Sequence, residues 1–241
     1  MVDLDEAAFA AFVADDCFFS DFSCGVGGVF NRRRKTSSHF SWSLSLGVSD
    51  MINPWDPFPF PLYGDQNEDE IYQWIGRSLD AWEHVEFELA RMYSLLCGDP
   101  EWAKMQEYGG SGNIFRDRIG NLANVAVSYF RRDPHQDHEG ALDGLITACK
   151  GFADRRNEVA HGMVMDVQTF LFWQDKMKAA APNVPQLLVV PPYYHVRKHD
   201  SLGLPGFGYS SFELSTITNR LLDLSRAIDA FNLRVWPRES R

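Results

Sequence analysis

One run constrains the fold of this chain more than any other: Ile71, Ile75, Ser78, Trp82, Val85, Leu89, Met92 and Leu96 fall at alternating steps of four and three residues. Side chains at that spacing return to one face of an α-helix, and a stripe this long is covered best by other helices. Gly98-Asp99-Pro100 supplies the stop. Phe115, Ile119, Leu122, Ala126 and Tyr129 repeat the pattern over about 114–132, where Asp133-Pro134 breaks it. A third helix, opening at Asp137 or His138, carries Leu142, Leu145, Cys149, Phe152, Arg156 and Val159. A last one, announced by the capping box Ser210-x-x-Glu213, keeps Leu214, Ile217, Leu221, Leu224, Ile228, Phe231 and Val235 in register. The expectation is a mainly α protein, a four-helix bundle.

The segments between are of other kinds. Gly109-Gly110-Ser111-Gly112 reads as a flexible hinge. Val164 to Trp173 and Gln186 to Val196 are rich in β-branched and aromatic residues around an Ala/Pro turn, which predicts a small β-hairpin inserted before the last helix. Residues 201–209 form a Gly/Pro-rich loop.

Residues 1–66 and 67–241 differ in texture, the second being the bundle domain. The first holds small residues, scattered Phe and the basic run Arg32-Arg33-Arg34-Lys35, with no sustained helical period. In Asn53-Pro54-Trp55-Asp56-Pro57-Phe58-Pro59-Phe60-Pro61-Leu62-Tyr63, four prolines forbid a helix or a central strand. That stretch predicts an extended strap laying its aromatics on the bundle. Met51 is a candidate true start, which would leave residues 1–50 disordered or untranslated; a peptide from 1–50 in the native protein would refute it.

Acidic residues outnumber basic ones by 33 to 23, a formal net charge of −10. Such a chain does not coat nucleic acid indiscriminately, because that binding is driven by Lys and Arg; an RNA held in one locally basic cleft remains compatible. The four cysteines, Cys17, Cys24, Cys97 and Cys149, are too scattered for a disulfide framework, and Cys97 and Cys149 read as buried thiols. The N-terminus lacks a basic leader and no apolar run would span a bilayer, so the expectation is a cytoplasmic protein without a membrane partner.

The stretch with chemical content is Arg156-Asn157-Glu158-Val159-Ala160-His161-Gly162, at the end of the third helix. It sets a guanidinium, a carboxamide and an imidazole within two turns. A fixed cation suits the charge of a phosphorane, and imidazole titrates near neutrality, where proton transfer is needed. Asn157 and His161, four apart, share a helix face; Arg156 lies about 100° round and falls in the apolar stripe. A plainer account is available for each residue. His161 followed by a C′ glycine is an ordinary helix ending, and Arg156 can pair with an inward carboxylate such as Glu86 or Asp80.

Arg, a polar residue, three intervening residues and His is the pattern of the HEPN superfamily, which this chain resembles over roughly 68–236. The resemblance implies a bundle of four or five helices in which this element ends one helix. It implies a homodimer whose two motifs face one another. Many members are metal-independent endoribonucleases of toxin–antitoxin or antiviral systems, so the resemblance implies an RNA substrate, an antitoxin protein as a possible partner, and no cofactor or metal. Catalytic residues would be Arg156 on the phosphate, Asn157 orienting the phosphate or His161, and His161 moving the proton. Other members are non-catalytic modules that bind a partner protein or nucleotide, the alternative function here, and the acidic net charge leans that way.

Other candidates are weaker. His135-x-x-His138, beside Asp133 and Asp137, lacks the third and fourth ligands of a zinc site, and Asp137 serves better as a helix N-cap. His195-x3-His199 and Cys17-x6-Cys24 are weaker still, and Gly25-x-Gly27-Gly28 lacks the Lys-Ser/Thr of a phosphate loop. Arg32–Lys35 reads as a solvated basic run, and Trp74, Trp82 and Trp236 as core or interface residues. Pro191-Pro192-Tyr193-Tyr194 is a candidate lining for a cleft beside the motif.

Overall fold

Asn67 starts the first helix by accepting the Asp69 amide on its side-chain oxygen at 3.0 Å, and Glu68, Asp69 and Glu70 complement the positive end of the helix. The computed structural model describes residues 53–99, 103–112, 114–169, 184–201 and 203–235, with only the backbone of Thr169, in a compact unit spanning Met51–Arg241. Helix α1 is Glu68–Leu96, α2 Met105–Gly110, α3 Phe115–Arg132, α4 Gln136–His161 and α5 Ser211–Val235. Strands β1, Met163–Asp166, and β2, Leu187–Val190, lie between α4 and α5. The unit is thus mainly helical, with a small antiparallel sheet before the last helix, as the periodicity predicts.

Helices α1 and α5 form the principal pair, with α4 packed against both and α3 against α1 and α4. Trp82, Val85, Leu89, Met92 and Leu96 of the α1 stripe are buried, and Leu214 through Phe231 of α5 match them. Ser78 interrupts the apolar row so that the helices can approach; its hydroxyl meets that of Thr218 at 2.8 Å. The end of α1 is built by Gly98, whose φ of 78° permits a left-handed turn. The Gly98 amide donates to the Leu95 carbonyl at 2.8 Å and the Asp99 amide to that of Ser94 at 3.0 Å.

Four local expectations change. Gly109 and Gly110 belong to the short helix α2 instead of a hinge, because Tyr108 is buried and its hydroxyl donates to Glu86 at 3.1 Å, pinning the turn. The N-cap of α4 is His135, without a side-chain bond, and Asp137 sits in the first turn, where its charge still suits the dipole. On α3 the buried aromatic is Phe130, not Tyr129. Cys97 is half-buried at the end of α1, whereas Cys149 is fully enclosed, which pushes its thiol pKa up.

The sheet is shorter than the hairpin expected. Met163 pairs with Val190 and Asp166 with Leu187; Trp173 and the Ala/Pro turn lie outside the described residues. After β2 the chain turns away at the prolines. The other edge of β2 is covered by two single bridges, Asp65 on Leu187 and Tyr209 on Val189.

Asp65 continues the strap, which lies along the unit with Trp55, Phe58 and Phe60 turned inward and Tyr63 exposed. Trp55 meets Phe152 edge-on at 6.0 Å and covers Gly151, where a Cβ would come within 2.2 Å of the indole. Phe58 lies edge-on to Tyr209 with Arg220 over its ring at 5.0 Å, and Phe60 fills the space above Gly208. The strap ends by capping α5, the Asp65 carboxylate accepting the Ser211 amide and hydroxyl, both at 2.6 Å. The compact unit therefore starts ahead of the change in sequence texture at 66/67. The segment with Cys17, Cys24, Gly25–Gly28 and Arg32–Lys35 lies outside the described residues.

Candidate active site

The last two turns of α4 carry two arginines in succession, and the structure treats them oppositely. Arg155 is buried; Arg156 stands at the rim, half-buried. The guanidinium expected in the apolar stripe is thus Arg155, displaced by one residue from the predicted register. Its Nη2 donates to Oε1 of Glu158, one turn on, at 3.1 Å. The other oxygen of Glu158 accepts the hydroxyl of Tyr209, and Lys198 Nζ stands 3.9 Å from Oε1. The pairing offsets part of the cost of burying these charges, for Nε and Nη1 of Arg155 are buried without hydrogen-bond partners among the described residues. Desolvation raises the Glu158 pKa above the ordinary carboxylate range, outweighing the Tyr209 hydrogen bond and the charges of Arg155 and Lys198. Burial, then the facing Glu158 charge, raises the Tyr209 phenol, so it stays a donor.

Arg156 has a different environment. Its stem leaves α4 toward Trp82 of α1, with Cζ 5.9 Å from the indole centroid, a distance at which the ring face attracts a cation. Nη1 donates to the side-chain oxygen of Asn157 at 3.1 Å, while Nε is buried and has no hydrogen-bond partner among the described residues. Neither expected carboxylate pairs with Arg156. Glu86 holds Arg118 and the Tyr108 hydroxyl, and Asp80 lies 3.8 Å from His84. No ion pair involves Arg156 among the described residues. Asn157 and His161 are both exposed, one turn apart on the outer face. The structure so brings Arg156 and Asn157 into direct contact and leaves His161 open at the helix end.

Gly162, which follows, does not end the helix through a left-handed turn. Its φ is −74° and ψ 163°, an extended backbone open to any residue. Glycine is required there for another reason: a Cβ would come within 2.4 Å of Val189 Cγ1 and 2.8 Å of the Glu158 carbonyl. The sheet is packed directly against the end of α4.

Elsewhere, the rings of His135 and His138 stack at 3.8 Å with 9° between planes, and His138 lies edge-on to Phe231. Burial, then the proximity of His135 and Arg234, lowers the His138 pKa. Among the described residues no group of three His, Cys, Asp or Glu side chains is placed to hold a metal ion. Trp82 is core, Trp74 lies beneath Arg77 at 4.7 Å, and Trp236 lies outside the described residues. No described helix is long and apolar enough to cross a membrane.

Glu158, Tyr209 and Lys198 were not legible as a group, since the phenol and the ammonium come from far along the chain. Only the i,i+3 spacing of Arg155 and Glu158 hinted at a pair. No family model, curated protein or solved structure matches this chain.

Proposed function

We propose that this chain is a metal-independent endoribonuclease of the HEPN type, working as a homodimer, with Arg156, Asn157 and His161 as its site. The observation that carries the reading is the state of Arg156. It is a guanidinium at the surface rim, contacting no carboxylate among the described residues and joined to Asn157, while the neighbouring Arg155 takes the buried structural pairing. A cation kept clear of carboxylates is ready to meet a phosphate.

The chemistry is an intramolecular transfer. The ribose 2′-oxygen attacks the adjacent phosphorus as its proton passes to one imidazole. The bond from phosphorus to the 5′-oxygen breaks, and that oxygen takes a proton from a second imidazolium. The products are a 2′,3′-cyclic phosphate and a 5′-hydroxyl. One imidazole cannot serve as base and acid in a single step, so His161 of a second copy is the natural complement. Arg156 stabilises the charge on the phosphorane oxygens, and Asn157, holding Nη1, orients that guanidinium. A toxin or defence role, with an antitoxin as partner, accords with this activity.

Incubating the protein with total RNA in EDTA, beside His161→Ala, tests the reading. Cleavage by wild type alone, leaving 2′,3′-cyclic ends, is expected. Equal cleavage by both would remove His161 from the mechanism; silence from both would favour a non-catalytic module that binds a protein or nucleotide.

A further inference from the structure

β1 leaves the end of α4 and β2 returns antiparallel to it, so that Val190 stands opposite Met163, two residues beyond His161. The chain after Val190 therefore emerges beside the candidate site. Pro191 and Pro192 are buried, and then Tyr193 to Lys198 are exposed in an unbroken row. Tyr193 and Tyr194 are each 76% exposed and Val196 79%, the most exposed large hydrophobic residues described. Aromatic rings left this open, next to a site, call for a ligand.

The loop is also tied by its own hydrogen bonds. The His195 amide donates to the Pro192 carbonyl at 2.9 Å, and that of Lys198 to His195 at 2.8 Å. The Gly206 amide donates to the Lys198 carbonyl at 2.7 Å, anchoring the far side. Each tyrosine meets an imidazole at a steep angle, Tyr194 with His195 at 4.6 Å and Tyr193 with His199 at 5.9 Å.

Its charge is opposite to that of the whole molecule. From Gln186 to His199 there is no Asp or Glu, and the segment holds Arg197, Lys198, His195 and His199 in a chain of net charge −10. The next acid, Asp200, turns its carboxylate back to the Leu204 amide at 2.8 Å. Lys198 lies 3.9 Å from Glu158, which ties the loop to the buried pair beneath the end of α4 and leaves Arg197 as its cation without an ion pair among the described residues.

We infer that the Tyr193–His199 loop is a binding platform for single-stranded RNA, with bases stacking on Tyr193 and Tyr194 and phosphates meeting Arg197. Exposed aromatics interleaved with cations are the means by which unpaired strands are held without regard to sequence. Duplex RNA hides its base faces and gains little from such a surface. The choice of RNA rests on the ribonuclease reading above, and the platform narrows its substrate to unpaired segments.

The test is fluorescence anisotropy with a labelled oligouridylate of about 12 nucleotides, within the span such surfaces cover. His161→Ala is the parent, so that the probe stays intact. Adding Tyr193→Ala and Tyr194→Ala should raise Kd by about tenfold or more, as loss of base stacking requires. Adding Tyr193→Phe and Tyr194→Phe should leave it nearly unchanged, since the ring faces remain. A duplex of the same length should bind at least about tenfold more weakly than the single strand. An unchanged Kd in the alanine pair, equal binding of duplex, or no binding of the oligonucleotide would each overturn the platform. The two readings fail separately. Metal-free cleavage without dependence on the tyrosines sinks the platform alone, and tyrosine-dependent binding without cleavage by wild type sinks the nuclease alone.

Discussion

The phenol of Tyr209 donates to the carboxylate of Glu158, and through that bond the segment before α5 holds the centre of the Arg156–His161 motif. Glu158 belongs to the motif by sequence and to the core by position. Replacing Tyr209 with Phe keeps the ring against Phe207 and Phe58 but leaves one carboxylate oxygen buried without its donor. The expected cost is about 1–3 kcal/mol, read from the urea midpoint. No loss of stability would mean that water replaces the phenol.

The same carboxyl group gives a pH dependence with a definite sign. Burial raises its folded pKa above the unfolded one, so the folded chain binds the proton more readily. Its contribution is therefore greatest below the unfolded pKa and declines as pH rises from there through the folded value. The stability of wild type minus that of Glu158→Gln should be largest near about pH 4 and shrink toward about pH 7, since the amide does not titrate. A difference that grows with pH would show the ion pair with Arg155 outweighing desolvation.

Arg155 and Arg156 should separate stability from activity. Arg156→Lys keeps a charge but loses the planar fork and the bond to Asn157. RNA cleavage should fall by about 10²–10³, the scale for losing one transition-state donor, with stability changed by less than about 1 kcal/mol. Arg155→Ala strands Glu158 in the interior and should destabilise by about 3–5 kcal/mol in the same urea titrations. The reverse pattern would exchange the roles of the two residues.

Gly162→Ala probes the seat of the sheet on α4. The added methyl would meet Val189 Cγ1 at 2.4 Å and the Glu158 carbonyl at 2.8 Å, so helix end and strand must move apart. A loss of about 1–3 kcal/mol is expected, with a lower melting temperature. Unchanged melting would show that the contact yields without strain.

Much of this architecture was legible from spacing. The stripes of α1 and α5 keep their period along the helices, Ser78 apart, and Gly98 and the Ser210–Glu213 box mark two of their ends. The last turns of α4 were legible only in part. By period the stripe passes through Arg156, but the buried arginine is Arg155, because Tyr209 and Lys198 supply partners at Glu158 that no local pattern reveals. The role of Gly162 was likewise invisible, since the need for a missing Cβ arises from Val189 across the sheet. The strap was legible as extended from its prolines, but its capping of α5 depends on Asp65 meeting Ser211 in space.

The two bridges that flank β2 have a further consequence. Leu-Leu-Val-Val is a sequence that would readily template cross-β growth if its edge were open. Here β1 occupies one side and Asp65 and Tyr209 close the other. The strap thereby covers the Leu187 end of that edge, so its contact at Asp65 shields a strand that could otherwise pair with another chain.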